Sequence, residues 1–325
     1  MPATLTYREA IRQCLVEEMD RDDNVFLMGE DIGRYQGTFR VTQGLFDKYG
    51  PRRVIDTPIV EPAIVGLANG AAMAGLRPVI EMMTMSFSIL ALDQVINHAA
   101  KIHYMTNGQA KCPLVVRGPG GAANQLSAQH SHSVEGWYAH VPGLKVVAPA
   151  TPEDAYGMLR TAIRDDNPVI FTENPGLYGI KGEIPDDNEF AVPFGKARIA
   201  REGSDLTLVG YSRMTHVCLK AAELLAEQGI SAEVVDVRSL LPLDTETIFG
   251  SVAKTHRAVV VYEDWKSGGF GAEIAARIGE NCFDDLDAPV GRVGGLNVPM
   301  PYARVLELEC IPNEQDVLDA VKKLG

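Results

Sequence analysis

The chain has 325 residues, 46% of them hydrophobic and 22% charged, with a formal net charge of −13. This excludes disordered and collagen-like classes and fits two domains with full cores. The acidic balance, without any run of Lys or Arg, argues against a nucleic-acid partner, since neutralising phosphates needs clustered basic side chains. No apolar run approaches the roughly 20 residues that span a bilayer, and the start, Met1-Pro2-Ala3-Thr4-Leu5, lacks the basic and apolar regions of a leader peptide. The five cysteines (14, 112, 218, 282 and 310) form no CxxC pair, which predicts reduced thiols and a cytoplasmic location.

In chain order, a helical period over 7–19 leads to an apolar strand at 25–28. Helix 63–73, strand 78–82, helix 90–105 and strand 114–117 follow, then strand 146–149, helix 152–163 and strand 169–173. The second half alternates in the same way, with strands at 206–211, 232–237, 258–262 and 289–293. Between and after them lie helices over 213–228, 244–254, 271–282 and 313–323. Short apolar strands separated by helices predict an α/β fold with a mostly parallel sheet in each of two domains. The polar stretch 179–194 has neither period, so the expected division is a domain at 1–180, a linker at 181–195 and a domain at 196–325. Two long irregular segments, 29–40 and 118–140, are glycine-rich, and the second carries His130, His132 and His140. Loops of that length in a compact domain are usually functional or disordered.

The common phosphate and metal signatures are missing: no GxxxxGK[ST], no HExxH, no EF-hand loop and no Gly-x-Ser-x-Gly. Gly268-Gly269-Phe270-Gly271 opens a helix but lacks the third glycine of a dinucleotide fingerprint. The informative stretch is 56–75, where Glu61 precedes Pro62. Proline suits the first helical position, so Glu61 is expected at the N-cap, a place glutamate does not favour. A carboxylate held at the mouth of a helix of small apolar residues breaks a local rule, as functional sites do. It is a candidate proton donor or acceptor, against the plain alternative of a salt-bridged helix start. Met82, Met83, Met85 and Phe87 end the next strand, where ligands bind in doubly wound sheets, and could hold a flat heteroaromatic ring or simply fill a core.

Asp56-Thr57-Pro58-Ile59-Val60-Glu61, the run from Ala71 to Pro78, Asp93-Gln94-Val95-Ile96-Asn97, Gln129-His130-Ser131 and Pro142-Gly143-Leu144-Lys145-Val146-Val147 closely resemble the β subunits of the thiamine-diphosphate-dependent decarboxylating components of 2-oxoacid dehydrogenase complexes. The resemblance covers essentially the whole chain. Met82-Met83-Thr84 and Trp137-Tyr138 look most like the pyruvate branch. The implied fold is a transketolase-like pyrimidine-binding domain followed by a transketolase C-terminal-like domain.

The implied activity is decarboxylation of pyruvate with reductive acylation of the lipoyl group of a dihydrolipoyl acyltransferase, in company with an α subunit. Branched-chain 2-oxoacid and acetoin dehydrogenases are the alternatives, as is a non-catalytic assembly subunit. By the same resemblance Glu61 bonds the aminopyrimidine and drives its tautomer, Phe87 stacks on it, and Glu30, Ile59, Val60 and Met83 line or bond it. His130 matches an active-site histidine. Backbone carbonyls of Leu114, Ala162, Ile163, Asp165 and Asn167 are implied to hold a structural potassium ion. Gly-Asp-Gly, needed for the diphosphate and its Mg2+, does not occur, so the α subunit is expected to supply it in an α2β2 assembly. The acidic C-terminal region (Asp284, Asp285, Asp287, Glu307, Glu309) is the expected docking area for the basic peripheral subunit-binding domain of the acyltransferase, whose lipoyl domain would visit the site.

Overall fold

A computed structural model describes residues 3–122 and 124–325. The chain divides into two compact units, the first made of Met1–Gly120 and Trp137–Phe194, the second of Gly121–Gly136 and Gly195–Gly325.

The first unit contains β1 (Ala3–Thr6), α1 (Tyr7–Arg21), β2 (Val25–Gly29), α2 (Leu45–Tyr49), β3 (Val54–Asp56), α3 (Glu61–Met73), β4 (Arg77–Glu81), α4 (Ala100–Met105) and β5 (Val115–Pro119). After α5 (Glu135–Ala139), which runs across the division, come β6 (Lys145–Val147), α6 (Pro152–Arg164), β7 (Val169–Glu173) and β8 (Lys181–Ile184). Its sheet runs β6-β7-β5-β4-β2-β3 with every pair parallel. Strands β2, β5 and β7 are buried along their whole length, which is why each reads as an unbroken apolar run rather than an alternating one. Each fully buried Val, Leu or Ile contributes about 1.5–3 kcal/mol.

Helix α1 starts at a capping box in which Thr6 accepts from the Glu9 amide and Glu9 from the Thr6 amide. It packs on α6, itself capped by Thr151 with Pro152 at its first position. Between them the buried Arg160 bonds Glu18 (3.1 Å) and pairs with Glu17.

The second unit holds β9 (Arg198–Arg201), β10 (Leu206–Gly210), α7 (Arg213–Ala226), β11 (Ala232–Asp236), β12 (Ser239–Leu241), α8 (Thr245–Thr255), β13 (Ala258–Trp265), α9 (Phe270–Asn281), β14 (Gly291–Gly295), α10 (Arg304–Cys310) and α11 (Glu314–Lys322). Its sheet order is β14-β13-β10-β11-β9, parallel except for the antiparallel edge pair β11-β9. Ala122 belongs to this unit's apolar core, among Leu208, Val259 and Val261.

Two expectations change. The stretch 179–194 contains β8, which pairs antiparallel with β1; its mixed, mostly exposed pattern hid it. The single helix expected over 90–105 is three pieces, a 3₁₀ turn (Phe87–Ala91), a π turn (Gln94–Ala99) and α4. Among the described residues no helix is long and apolar enough to cross a membrane.

Candidate active site

In the first unit, the carboxyl ends of β2, β3 and β4 lie side by side, the edge at which parallel sheets bind ligands. The chain leaving β2 turns at once into the irregular segment 29–40. Gly29 has no room for a side chain, because a Cβ there would lie 2.4 Å from the Glu81 carbonyl oxygen. The turn is held by Asp56, whose carboxylate accepts from the amides of Gly33 (2.6 Å) and Arg34 (3.0 Å). Nothing in the sequence around Asp56 marks it for this contact with a loop 22 to 23 residues earlier.

Glu30 follows Gly29. It is 6% exposed, and its Oε1 is buried without a hydrogen-bond partner. Burial, then the neighbouring Glu61 and Asp31 carboxylates, push its carboxyl above the usual range.

Glu61 is 5% exposed. It is the first residue of α3 rather than its N-cap: Val60 holds the cap with a non-helical backbone (φ −151°, ψ 79°), and Pro62 follows Glu61. The sequence expectation was thus one position out. The carboxylate is still in the first turn, where the unpaired amides of a helix start favour negative charge. The helix also carries a buried polar residue, Asn69, whose amide nitrogen donates to the Gln94 carbonyl (2.8 Å) across the packed π turn.

After β4 the methionines divide. Met82 and Met85 are core residues at 2% and 0% exposure, whereas Met83 and Phe87 are only half-buried. The turn bearing them is pinned to the end of β5, because the amides of Met82 and Met85 donate to the Arg117 and Pro119 carbonyls (2.8 and 2.7 Å). Tyr138 closes it by donating to Ser88 Oγ (2.6 Å), which donates to the Met85 carbonyl (2.6 Å). Ile59 and Val60 present exposed apolar side chains beside Glu61. Glu30, Ile59, Val60, Glu61, Met83 and Phe87 therefore share one strand-end edge.

Beneath that edge is a charged network that sequence reasoning missed. Arg117 on β5, 1% exposed, grips Glu173 on β7 with two bonds (2.5 and 2.7 Å) and also pairs with Glu81 on β4; Tyr178 donates to Glu173 (2.7 Å). A charged residue in or closing each of three apolar strands, Glu81, Arg117 and Glu173, was the available signal.

His130 belongs to the second unit, in the segment Gly121–Gly136. The Ser127 carbonyl accepts from its amide (3.4 Å) and from Ser131 Oγ (2.8 Å). His132 lies edge-on to Trp265, ring centres 5.8 Å apart. The neighbouring Glu135 is buried with an unpartnered Oε2; burial, then Asp264, then Glu263 push its carboxyl up to about 8. Asp264 is pushed up to about 6, chiefly by burial.

The carbonyls named for potassium gather around the turn from α6 to β7. Those of Ile163 and Asp165 accept from Arg77 (3.0 and 3.1 Å), that of Leu114 from the Val169 amide, and that of Ala162 from the Asp165 amide. Each carbonyl oxygen has a second lone pair, so a cation there would share these atoms with the guanidinium. Of the acidic residues expected at the docking face, Asp284, Asp285, Asp287 and Glu309 are exposed, but Glu307 is 1% exposed and accepts from the Gln125 amide (2.9 Å). Glu307 is therefore not a surface contact.

Comparison with known proteins matches two domain families, "Transketolase, pyrimidine binding domain" over residues 3–181 and "Transketolase, C-terminal domain" over 195–317. The pyruvate dehydrogenase E1 component subunit beta of Rickettsia felis is 53% identical over 320 residues, 98% of each chain. The mitochondrial one of Bos taurus is 50% identical over 328 residues, 99% of this chain and 91% of that one. A solved structure titled "Split gene transketolase, inactive beta4 tetramer" shares the fold at a TM-score of 0.80 and 24% identity, covering 98% of both chains. The chain belongs to the family of pyruvate dehydrogenase E1 component beta subunits, assembled from the transketolase pyrimidine-binding and C-terminal domains.

Proposed function

We propose that this chain works with an α subunit, as an α2β2 assembly, to decarboxylate pyruvate and acylate a lipoyl group, and that its strand-end edge holds the aminopyrimidine of thiamine diphosphate. The observation that carries the reading is the pairing of two nearly buried carboxylates, Glu61 at the start of α3 and Glu30 with an orphaned oxygen, beside half-buried Phe87 and Met83. An orphaned buried acceptor is costly unless a ligand donor completes it. A flat ring bearing an amino group and ring nitrogens fits such a set. Bound thiamine diphosphate would supply the carbon nucleophile and the electron sink for loss of CO2.

This chain's residues would do the rest. Glu61 bonds a ring nitrogen and holds or returns its proton. Phe87 and Met83 fix the plane of the ring. Ile59 and Val60 keep water from the exposed side, and Glu30 sets the field around Glu61. His130 serves the later step, transfer to the lipoyl acceptor. The diphosphate and its Mg2+ fall to the α subunit, since this chain has no Gly-Asp-Gly. We further propose docking of the acyltransferase's basic peripheral domain near Asp284, Asp285 and Asp287. A potassium ion on the Leu114, Ala162, Ile163, Asp165 and Asn167 carbonyls belongs to the same reading. Five buried free cysteines support a reducing, cytoplasmic setting.

The test is reconstitution with the α subunit, thiamine diphosphate and Mg2+, following 2-oxoacid-dependent reduction of an artificial acceptor. Pyruvate is expected to be turned over well ahead of 3-methyl-2-oxobutanoate. The reverse order would move the chain to the branched-chain enzymes, and turnover by this chain alone would overturn the shared site.

A further inference from the structure

We propose that Glu263 and Glu307 are positioning residues for His130, clamping through main-chain amides the turn that presents it; this rests on the reading of His130 above. Among its described residues, the segment Gly121–Gly136 has no regular element but the first residues of one short helix, so these are held by anchors rather than by a regular hydrogen-bond ladder. Two of those anchors are carboxylates of the second unit. Glu263 on β13 accepts from the Ala122 amide (2.6 Å) and Glu307 on α10 accepts from the Gln125 amide (2.9 Å). Gly121 adds a bond from its amide to the His132 carbonyl (2.9 Å), which ties His132, two residues past the histidine, back to the start of the segment.

The backbone at the Gln125 anchor and just after it is strained. Gln125 and Ser127 both adopt left-handed conformations, φ 55° and 64°, which L-residues other than Asn, Asp and Gly rarely take without being held. Gln125 is itself the residue Glu307 grips, and Ser127 is the one whose carbonyl receives the His130 amide and the Ser131 hydroxyl. A continuous path thus runs from Glu307 through Gln125 and Ser127 to His130.

Glu307 is 1% exposed, and a buried carboxylate is retained only where donors compensate its lost hydration. Backbone N–H groups bonding a carboxylate are the charge-assisted kind, worth about tenfold to a hundredfold in the population of the ordered loop.

The experiment uses the assembled αβ enzyme with thiamine diphosphate and Mg2+, and two readouts. One is kcat and KM for acylation of a lipoyl domain. The other, independent of catalysis, is the rate of carbethoxylation of His130 by diethylpyrocarbonate, followed by mass spectrometry. Glu307→Ala is expected to change the His130 modification rate about tenfold and to lower kcat about 10- to 100-fold with little change in KM. Glu307→Gln, which keeps an acceptor in place, should restore most of both. The double variant with His130→Ala should be no slower than His130→Ala alone. If Glu307→Ala does not assemble, Glu263→Ala, at a half-buried position, carries the same test from the other end of the loop.

An unchanged modification rate, or losses that simply add in the double variant, would overturn the clamp while leaving the role of His130 standing. A fully active His130→Ala would instead overturn the histidine's role, and the modification rate alone would then decide the clamp.

Discussion

Two sets of buried carboxylates in the first unit are treated in opposite ways. Glu173 is bonded through both oxygens by Arg117 and Tyr178, and Glu81 pairs through one oxygen with the same Arg117, across β4, β5 and β7. Glu30 and Glu61, which follow β2 and β3 of the same sheet, are buried to a similar degree, yet Glu30 keeps an oxygen with no partner. The matched set is a scaffold that fixes where the strands stop. The other set keeps an acceptor open, while burial raises the carboxyls of Glu30 and Glu81 alike. Saturation, rather than burial, separates the two roles.

The sharpest way to break this comparison is to neutralise one member of each set. Glu61→Gln in the assembled enzyme is expected to lower turnover by about 10²–10⁴-fold, the range for loss of a positioned acid or base, with a thermal midpoint close to that of the parent. Near-normal turnover would remove Glu61 from the chemistry.

Arg117→Met should behave in the reverse manner. It strands two buried carboxylates and is expected to cost about 3–5 kcal/mol of stability, read from the denaturant midpoint. The triple change Arg117→Met, Glu81→Gln and Glu173→Gln should recover much of that loss, because no charge is then left unpaired. Phe87→Ala sharpens the apolar side of the same edge. A stacked ring contributes about 0.5–1.5 kcal/mol beyond its area, so the cofactor concentration for half-activation should rise up to about tenfold with turnover at saturation little changed.

The smallest effect concerns Glu135, an unmatched carboxylate in the second unit that faces Asp264 and Glu263 on β13 and Tyr211 beyond β10. Its folded carboxyl titrates at about 8 against an ordinary 4.5. Between those values the folded chain holds a proton the unfolded chain has lost, so stability is full below about pH 4.5 and declines as the pH rises to about 8. Glu135→Gln should flatten that decline, raising the melting temperature at pH 9 by about 2–4 °C for each kcal/mol relieved and changing it little at pH 5. An unaltered slope would mean that Glu135 is charged in the fold.

The central strands of the sheet that carries the site were legible because both their faces are buried: β2, β4, β5 and β7 stand out as apolar runs with no competing period. The edge elements were not, since β1, β3 and β8 are three or four residues long with exposed positions. The short helices α5 and α10 lie in segments whose glycines and polar residues read as loop. Glu61 was legible to within one position, because Pro62 marks the helix start but does not say on which side the helical geometry begins. Glu307 was misread, since its sequence neighbours, Leu306 and Leu308, are exposed and nothing local reveals that it faces an amide 182 residues away. Arg117 needs knowledge of which strands are adjacent, and strand order is a property of the whole sheet rather than of any window.

The course of the chain between its two units has a consequence for cutting it apart. It leaves the first unit after Gly120, returns at Trp137 and leaves again after Phe194, so no single break yields both units intact. A fragment ending at Phe194 would retain Ala122, a piece of the other unit's core, with nothing to bury it. Shuffling of domains between relatives would have to exchange the segment Gly121–Gly136 together with the C-terminal unit, and a hybrid joined only near residue 195 would combine a histidine loop from one parent with the carboxylates of another.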